Sequence, residues 1–480
     1  MSTIPFIGRK KELHQLKRLL EKTTASLVVI KGRRRIGKSR LIQEFGKQSK
    51  IKMYTFSGLP PTEKTILKDQ LHEFGWQLGK ALEQPAFKDD DWNDLFLRLA
   101  QHTRKGKTLI LFDEISWMGS KDPNFLGKLK NAWDLEFKNN PNLILVLCGS
   151  VSSWIDKNIL NNTGFLGRIS LKLTLEELPL SDSNFFWPSH QKISSFEKFK
   201  ILSVTGGVPK YLEEINPKIS AEENIKDLCF DSSGLLFNEF EHIFSDIFST
   251  RSAIYKKIIE CLTEGKSTLE AIYQKLNIEK SGVITEYLDD LIKSGFIQRD
   301  FTWNLSNQKR SKLSQYRISD NYLRFYIKNI EPHKEQVIRG NFQLSSWENI
   351  MGLQFENLVL NNRNAIKHIL NIAPNEVVYD NPFFQKKTKL QPGCQIDYLI
   401  QTKFNTLYIC EIKFSKNLIS SEVIHDVNEK INRLKIPKHI TCRSVLIHVN
   451  GVTENVSTHG NFSKIIDFSD LLLDDNSFNQ

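Results

Sequence analysis

The stretch Gly32-Arg33-Arg34-Arg35-Ile36-Gly37-Lys38-Ser39 has the spacing Gly-x4-Gly-Lys-Ser, which is what a backbone loop needs to wrap phosphate groups. Glycines let the chain curl until successive N–H groups point at phosphate oxygens, at the positive end of a helix dipole. Lys38 is spaced to reach the β- and γ-phosphates of a nucleotide, and Ser39 to hold Mg²⁺ through its hydroxyl. Asp113 and Glu114 follow 75 positions after Lys38. Asp113 would hold the same Mg²⁺ through water, and Glu114 would polarise an attacking water. A third set lies near the other end: Asp397, then Glu411-Ile412-Lys413, two carboxylates and a lysine of the kind that manage a hard cation and a phosphodiester.

These residues need elements to position them. Ala25 to Ile30 is a short β-branched strand and Arg40 to Phe45 opens a helix, so the loop lies between strand and helix. Leu109 to Phe112 is an apolar strand ending at Asp113, and "NLILVLCGS" is another, ending at Ser150. Three parallel strands separated by helices predict a doubly wound α/β sheet with its ligand at the carboxyl ends of the strands.

The ordered series "FIGRKKELHQL", "KGRRRIGKSRL", "LILFDEISWM", "LCGSVSSWI", "GFLGRIS" and "TGGVPKYL" resembles the archaeal-type P-loop ATPases of the STAND group, a relative of AAA+ enzymes. The resemblance implies ATP and Mg²⁺ as cofactors, and a nucleotide site built from Gly32 to Arg40, including Arg33, Arg34, Arg35 and Ile36. It implies that Phe6, Gly8 and Arg9 line the adenine side, and that Ser150 is a polar sensor of the γ-phosphate. It also implies that Arg168 lies near the γ-phosphate of its own or a neighbouring subunit, and that Gly207 and Pro209 cover the adenine from a helical lid. On their residues alone, Arg168 also reads as a surface ion-pair partner, Gly206 to Pro209 as a turn, and Ser150 as a strand-to-loop turn.

Residues 1–175 are thus expected to form the ATPase core and 176–245 the lid. From Ser252 three helical stretches and a hairpin follow within about 50 residues, a winged-helix grammar. The third carries Glu286, Asp289 and Asp290, which suit phosphates badly, so packing against the nucleotide domain competes with reading DNA. The winged-helix-like domain is set at 246–302 and a connecting segment, rich in basic residues, at 303–345.

Residues 346–480 close the chain. "CQIDYLIQTKFNTLYICEIKFSK" reads strand, turn, strand, with Asp397 near the start of the first strand and Glu411 near the end of the second, 14 positions on. Alternation puts Glu411 and Lys413 on one face and Ile412 on the other. This resembles the PD-(D/E)xK nuclease superfamily, a restriction-endonuclease-like α/β fold. The resemblance implies Asp397 and Glu411 as metal ligands, Lys413 as the residue that orients the nucleophile, and Glu356 as a helix acid facing the site. Gln395 departs from the pattern where many relatives carry an acid. A strand end running into solvent and an exposed helical Glu356 are the plainer alternatives, and such folds also bind without cleaving.

Forty per cent apolar and 25% charged residues suit a chain with real cores. The net charge of +11 fits an acidic partner such as DNA. Six scattered cysteines form no CxxC pair. No apolar run reaches membrane-spanning length, and the expectation is a cytoplasmic protein, with a homo-oligomer open. Two functional readings stand: an ATP-driven switch whose tail cleaves nucleic acid, or an ATP-dependent regulator whose tail only binds. A DNA-binding ATPase working through the winged helix is a third.

Overall fold

A computed structural model describes residues 5–248, 251–342, 347–389, 391–458 and 460–473. The chain divides into two compact units, Met1–Glu177 and Leu178–Gln480.

In the first unit, β1 (Ser26–Lys31), β2 (Lys52–Ser57), β3 (Thr108–Asp113), β4 (Leu143–Gly149) and β5 (Ile169–Thr174) form one sheet in the order β2-β3-β4-β1-β5. All pairings are parallel. Because successive side chains in a strand point to opposite faces, each apolar strand feeds two cores. Leu27, Val29, Ile110, Phe112, Leu145 and Leu147 enter one, and Val28, Ile30, Leu109, Leu111, Ile144 and Val146 the other. Helix Lys38–Ser49 covers the second face with Leu41, Ile42 and Phe45, all fully buried. Each such side chain contributes about 1.5–3 kcal/mol on leaving water. The first face is covered by helices Leu67–Ala81, Trp92–His102 and Phe125–Leu135 through an aromatic cluster, in which Phe56 stacks on Phe74 at 4.5 Å.

The second unit begins with short helices, then helices Ser252–Glu260, Leu269–Leu276 and Gly282–Lys293, and a hairpin of β6 (Ile297–Trp303) and β7 (Arg310–Ile318). The hairpin runs well past position 302, because Ile297 pairs with Ile318 and Trp303 with Arg310. The basic stretch up to Arg317, which also reads from sequence as a solvated hairpin, supplies the second strand of this hairpin. Helix Met351–Asn361 precedes a mixed sheet of β8 (Val377–Gln385), β9 (Cys394–Thr402), β10 (Thr406–Lys413), β11 (Thr441–His448) and β12 (Lys464–Asp467), in sequential order. β8, β9 and β10 pair antiparallel, while β10, β11 and β12 pair parallel. Helix Glu422–Arg433 makes the crossover between β10 and β11. Among the described residues, no helix is long and apolar enough to cross a membrane.

Candidate functional site

The phosphate loop leaves the carboxyl end of β1 and runs into helix Lys38–Ser49. Gly32 takes φ +153°, and a Cβ there would meet the Leu175 carbonyl oxygen at 2.4 Å, so only glycine fits. Gly37 caps the helix at φ +88°, and no side chain caps the first turn. A helix start of this kind offers amide hydrogens to an anion, with the helix dipole behind them. Arg35 also adopts a left-handed backbone, φ +69°, at a cost of about 1–2 kcal/mol that the surrounding contacts must hold. Arg9 is one of those contacts: its buried guanidinium donates to the carbonyls of Ile36 and Glu176, at 3.2 and 2.5 Å. Arg33 is buried too and pairs with Glu177 at 3.4 Å. The Ile36 side chain is in the core, leaving its backbone to the loop. Phe6 packs against the same core. Sequence suggested that Phe6 and Arg9 line the adenine side; here Arg9 braces the back of the loop.

β4 lies between β1 and β3, so the ends of these three strands meet. Ser39 donates its hydroxyl to Asp113 at 2.5 Å, across 74 positions of sequence. Lys38 is buried, and its ammonium donates to the carbonyls of Gly32 and Arg33, at 2.9 and 3.0 Å. Glu114 adopts φ +48°, and its carboxylate accepts from both the backbone N–H and the hydroxyl of Ser150. Loop, Asp113, Glu114 and Ser150 thus converge at one place. The Ser39 hydroxyl and Asp113 carboxylate are hard oxygen donors side by side, a set that fits Mg²⁺. Bound Mg²⁺ would neutralise phosphate charge there.

Arg168 does not join this group within its chain. It directly precedes Ile169, which pairs with Leu27 at the amino end of parallel β1, whereas the loop leaves the carboxyl end. Its guanidinium donates three hydrogen bonds to Asp134 of helix Phe125–Leu135, at 2.8, 2.9 and 3.2 Å. These bonds hold the Asp134 carboxyl down at about 2, despite partial burial, with help from Lys130. Gly207 and Pro209 lie in the second unit. A Cβ on Gly207 would meet the Leu178 carbonyl oxygen at 2.1 Å, and Pro209 opens the short helix Pro209–Leu212.

The second unit brings the other acids together. Tyr398 pairs with Cys410, so Asp397 stands opposite Glu411 one step on. Asp397 accepts the Ile412 N–H at 2.9 Å, and Glu411 is 5% exposed. Burial pushes the Asp397 carboxyl up to about 7, reinforced by the charges of Glu411 and Glu356 and opposed by Lys430. Lys413, the expected partner lysine, is half exposed and turns to Asp426 at 3.7 Å. The lysine that meets Glu411 is Lys430, from helix Glu422–Arg433. Sequence reading missed it, since a residue 19 positions away carries no spacing signal until the helix packs. Glu356 pairs with Lys266 at 2.6 Å. Among the described residues, no group of three or more His, Cys, Asp or Glu is arranged to hold a metal ion.

Comparisons with known proteins bear on the first of these sites. The model of an ATPase domain found predominantly in Archaea matches residues 6–215. An uncharacterized protein of Methanocaldococcus jannaschii is 26% identical over 362 residues, which cover 73% of this chain and 75% of that protein. An uncharacterized ATP-binding protein of the same organism is 43% identical over 49 residues, 10% of this chain and 83% of that protein. Among solved structures, the Walker-type ATPase of Pyrococcus abyssi superposes with a TM-score of 0.51 at 16% identity, covering 66% of this chain and 95% of that one, a likeness of fold. With a phosphate loop and an acid pair meeting at the strand ends, the chain belongs through residues 6–215 to the ATPase domain family found predominantly in Archaea, and it is an ATPase.

Proposed function

We propose that this protein is a STAND-type switch in which ATP binding and hydrolysis by the first unit control a nuclease-like second unit acting on nucleic acid, with DNA the favoured polymer. In this reading the backbone amides of Gly32 to Arg40 and the Lys38 ammonium hold the triphosphate, and Ser39 and Asp113 hold Mg²⁺. Glu114 takes the proton of the attacking water, and Ser150 orients Glu114. Residues 176–245 act as lid, 246–302 with β7 as a winged-helix-like module, and 346–480 as the nuclease-like domain. Asp397 and Glu411 would hold a second hard cation there, with Lys430 in the part assigned from sequence to Lys413.

The single observation that carries the nuclease part is the placement of Asp397 opposite Glu411 on one face of β9 and β10. A second reading keeps the switch but has the tail bind without cleaving. The Lys430 ion pair on Glu411 favours it, as does the absence of a third metal-ligating side chain among the described residues.

Incubating circular plasmid with the full chain and Mg²⁺ or Mn²⁺, with ATP, with ADP or without nucleotide, tests the proposal. Nicking that depends on nucleotide and disappears in Asp397→Ala and Glu411→Ala supports the first reading. DNA retained without nicking supports the second. Nicking that persists in both variants overturns the assignment of the acids.

A further inference from the structure

Two cavities in the second unit share Gln315 and Gln395 in their walls, so they adjoin. The larger, about 580 Å³, lies between the β6–β7 hairpin, which presents Arg299 and Lys312, and the C-terminal sheet with helix Glu422–Arg433, which presents Lys386, Lys430 and Arg433. One acid, Glu270, lines it. The smaller, about 280 Å³, is walled by Lys266, Arg317 and Arg324 facing Glu264 and Glu356.

Both are lined by neighbours of the carboxylate pair. Gln395 lies two residues before Asp397 on β9, Lys430 is the ion-pair partner of Glu411, and Glu356 acts electrostatically on Asp397. The smaller cavity also carries a polar deficit. Arg324 is 2% exposed and its Nε has no hydrogen-bond partner, nor has the buried Oε1 of Gln315. Leaving such groups unpaired in a dry interior costs about 1–3 kcal/mol each, more for a cation.

We propose that the two cavities form one cleft that receives a single strand of nucleic acid, its phosphates lying along the cationic wall of hairpin and helix on the way to Asp397 and Glu411. The inference rests on the reading of the second unit as acting on nucleic acid, though not on cleavage. Volumes of a few hundred cubic ångströms suit a ligand of one or two nucleotides, too little for a duplex. A cationic groove that follows the backbone is also how proteins take single strands without reading their sequence. The recognition element is then the hairpin, with its basic β7, rather than helix Gly282–Lys293 with its acids.

The test is fluorescence anisotropy of the full chain with a short fluorescein-labelled single strand, and with the duplex of the same sequence, in EDTA over a salt series. Wild type and Asp397→Asn are expected to bind the single strand more tightly than the duplex. The double variant Lys312→Glu/Lys386→Glu, which changes two exposed lysines, is expected to bind about tenfold or more weaker, with the salt slope reduced by about 1.4 for two lost phosphate contacts. Unchanged binding by the double variant, preference for duplex, or no binding by wild type would overturn the cleft. Strand binding that needs the lysines in a protein that never nicks DNA supports the cleft and removes the nuclease reading. Nicking that survives the double variant does the reverse.

Discussion

Ser150 donates its backbone N–H and its hydroxyl to the same carboxylate oxygen of Glu114, at 3.1 and 2.9 Å. Glu114 is held by these bonds beside the phosphate loop, at the end of the strand that carries Asp113. Glu114→Gln is expected to keep ATP binding and lower turnover by about 100-fold or more, as for loss of a general base. Ser150→Ala removes one bond to a charged group and is expected to lower turnover about tenfold with KM for ATP little changed. Phosphate release at saturating and limiting ATP measures both. Wild-type turnover in Ser150→Ala would mean that the contact does not orient the base.

Lys38 donates to two loop carbonyls across its own turn, so its ammonium is already inside the site that phosphates enter. Lys38→Ala is expected to weaken ATP binding about 100-fold, the scale of about 3 kcal/mol for a charge-assisted contact. Calorimetric titration with ATP and Mg²⁺ checks this, and unaltered affinity would contradict the phosphate-loop assignment.

Asp134 titrates near 2 beside Arg168, well below its unfolded value. The sign follows directly: the stabilisation is complete above about pH 4 and fades as acid protonates the folded carboxylate toward pH 2. In Arg168→Ala the carboxylate titrates higher, so tryptophan fluorescence should report acid unfolding at a higher pH than in wild type. ATP affinity at pH 7 should be unchanged, because Arg168 sits at the far end of its own sheet. A fall in affinity at low protein concentration would place Arg168 at its own nucleotide after all.

Asp397 behaves in the opposite sense. Its folded carboxyl titrates near 7, above the unfolded value, so its contribution is intact below about pH 4 and lost as pH rises through about 7. Asp397→Asn is therefore expected to raise the unfolding temperature of the second unit at pH 8 and to change it little at pH 4. The effect at pH 8 is on the order of 2–4 kcal/mol. Calorimetry at the two pH values checks the difference, and equal shifts would mean that the carboxylate is not held neutral.

Some of this was legible before folding. The phosphate loop, Asp113 and Ser150 could be read as strand ends because their chemistry is local: a glycine turn, then an apolar run stopped by a polar group. The doubly wound sheet followed, and the extra strands β2 and β5 extend it. Asp397 and Glu411 were likewise legible as a hairpin pair. The hairpin at 297–318 was legible as a solvated hairpin, while its register is fixed only by the pairing of β7 with β6.

What the sequence determined by itself was the set of groups joined by short, obligatory spacing: Gly32 to Ser39 at a strand-to-helix turn, and the acids that close two apolar strands. What only the tertiary structure decided was partnership across the chain. Parallel pairing of β5 with β1 carried Arg168 to the end of the sheet opposite the loop, where Asp134 receives it. Packing of helix Glu422–Arg433 gave Glu411 to Lys430 and left Lys413 facing Asp426. The reason is physical: spacing along a strand or helix fixes direction over a few residues, while contact between distant charges depends on which faces are buried together.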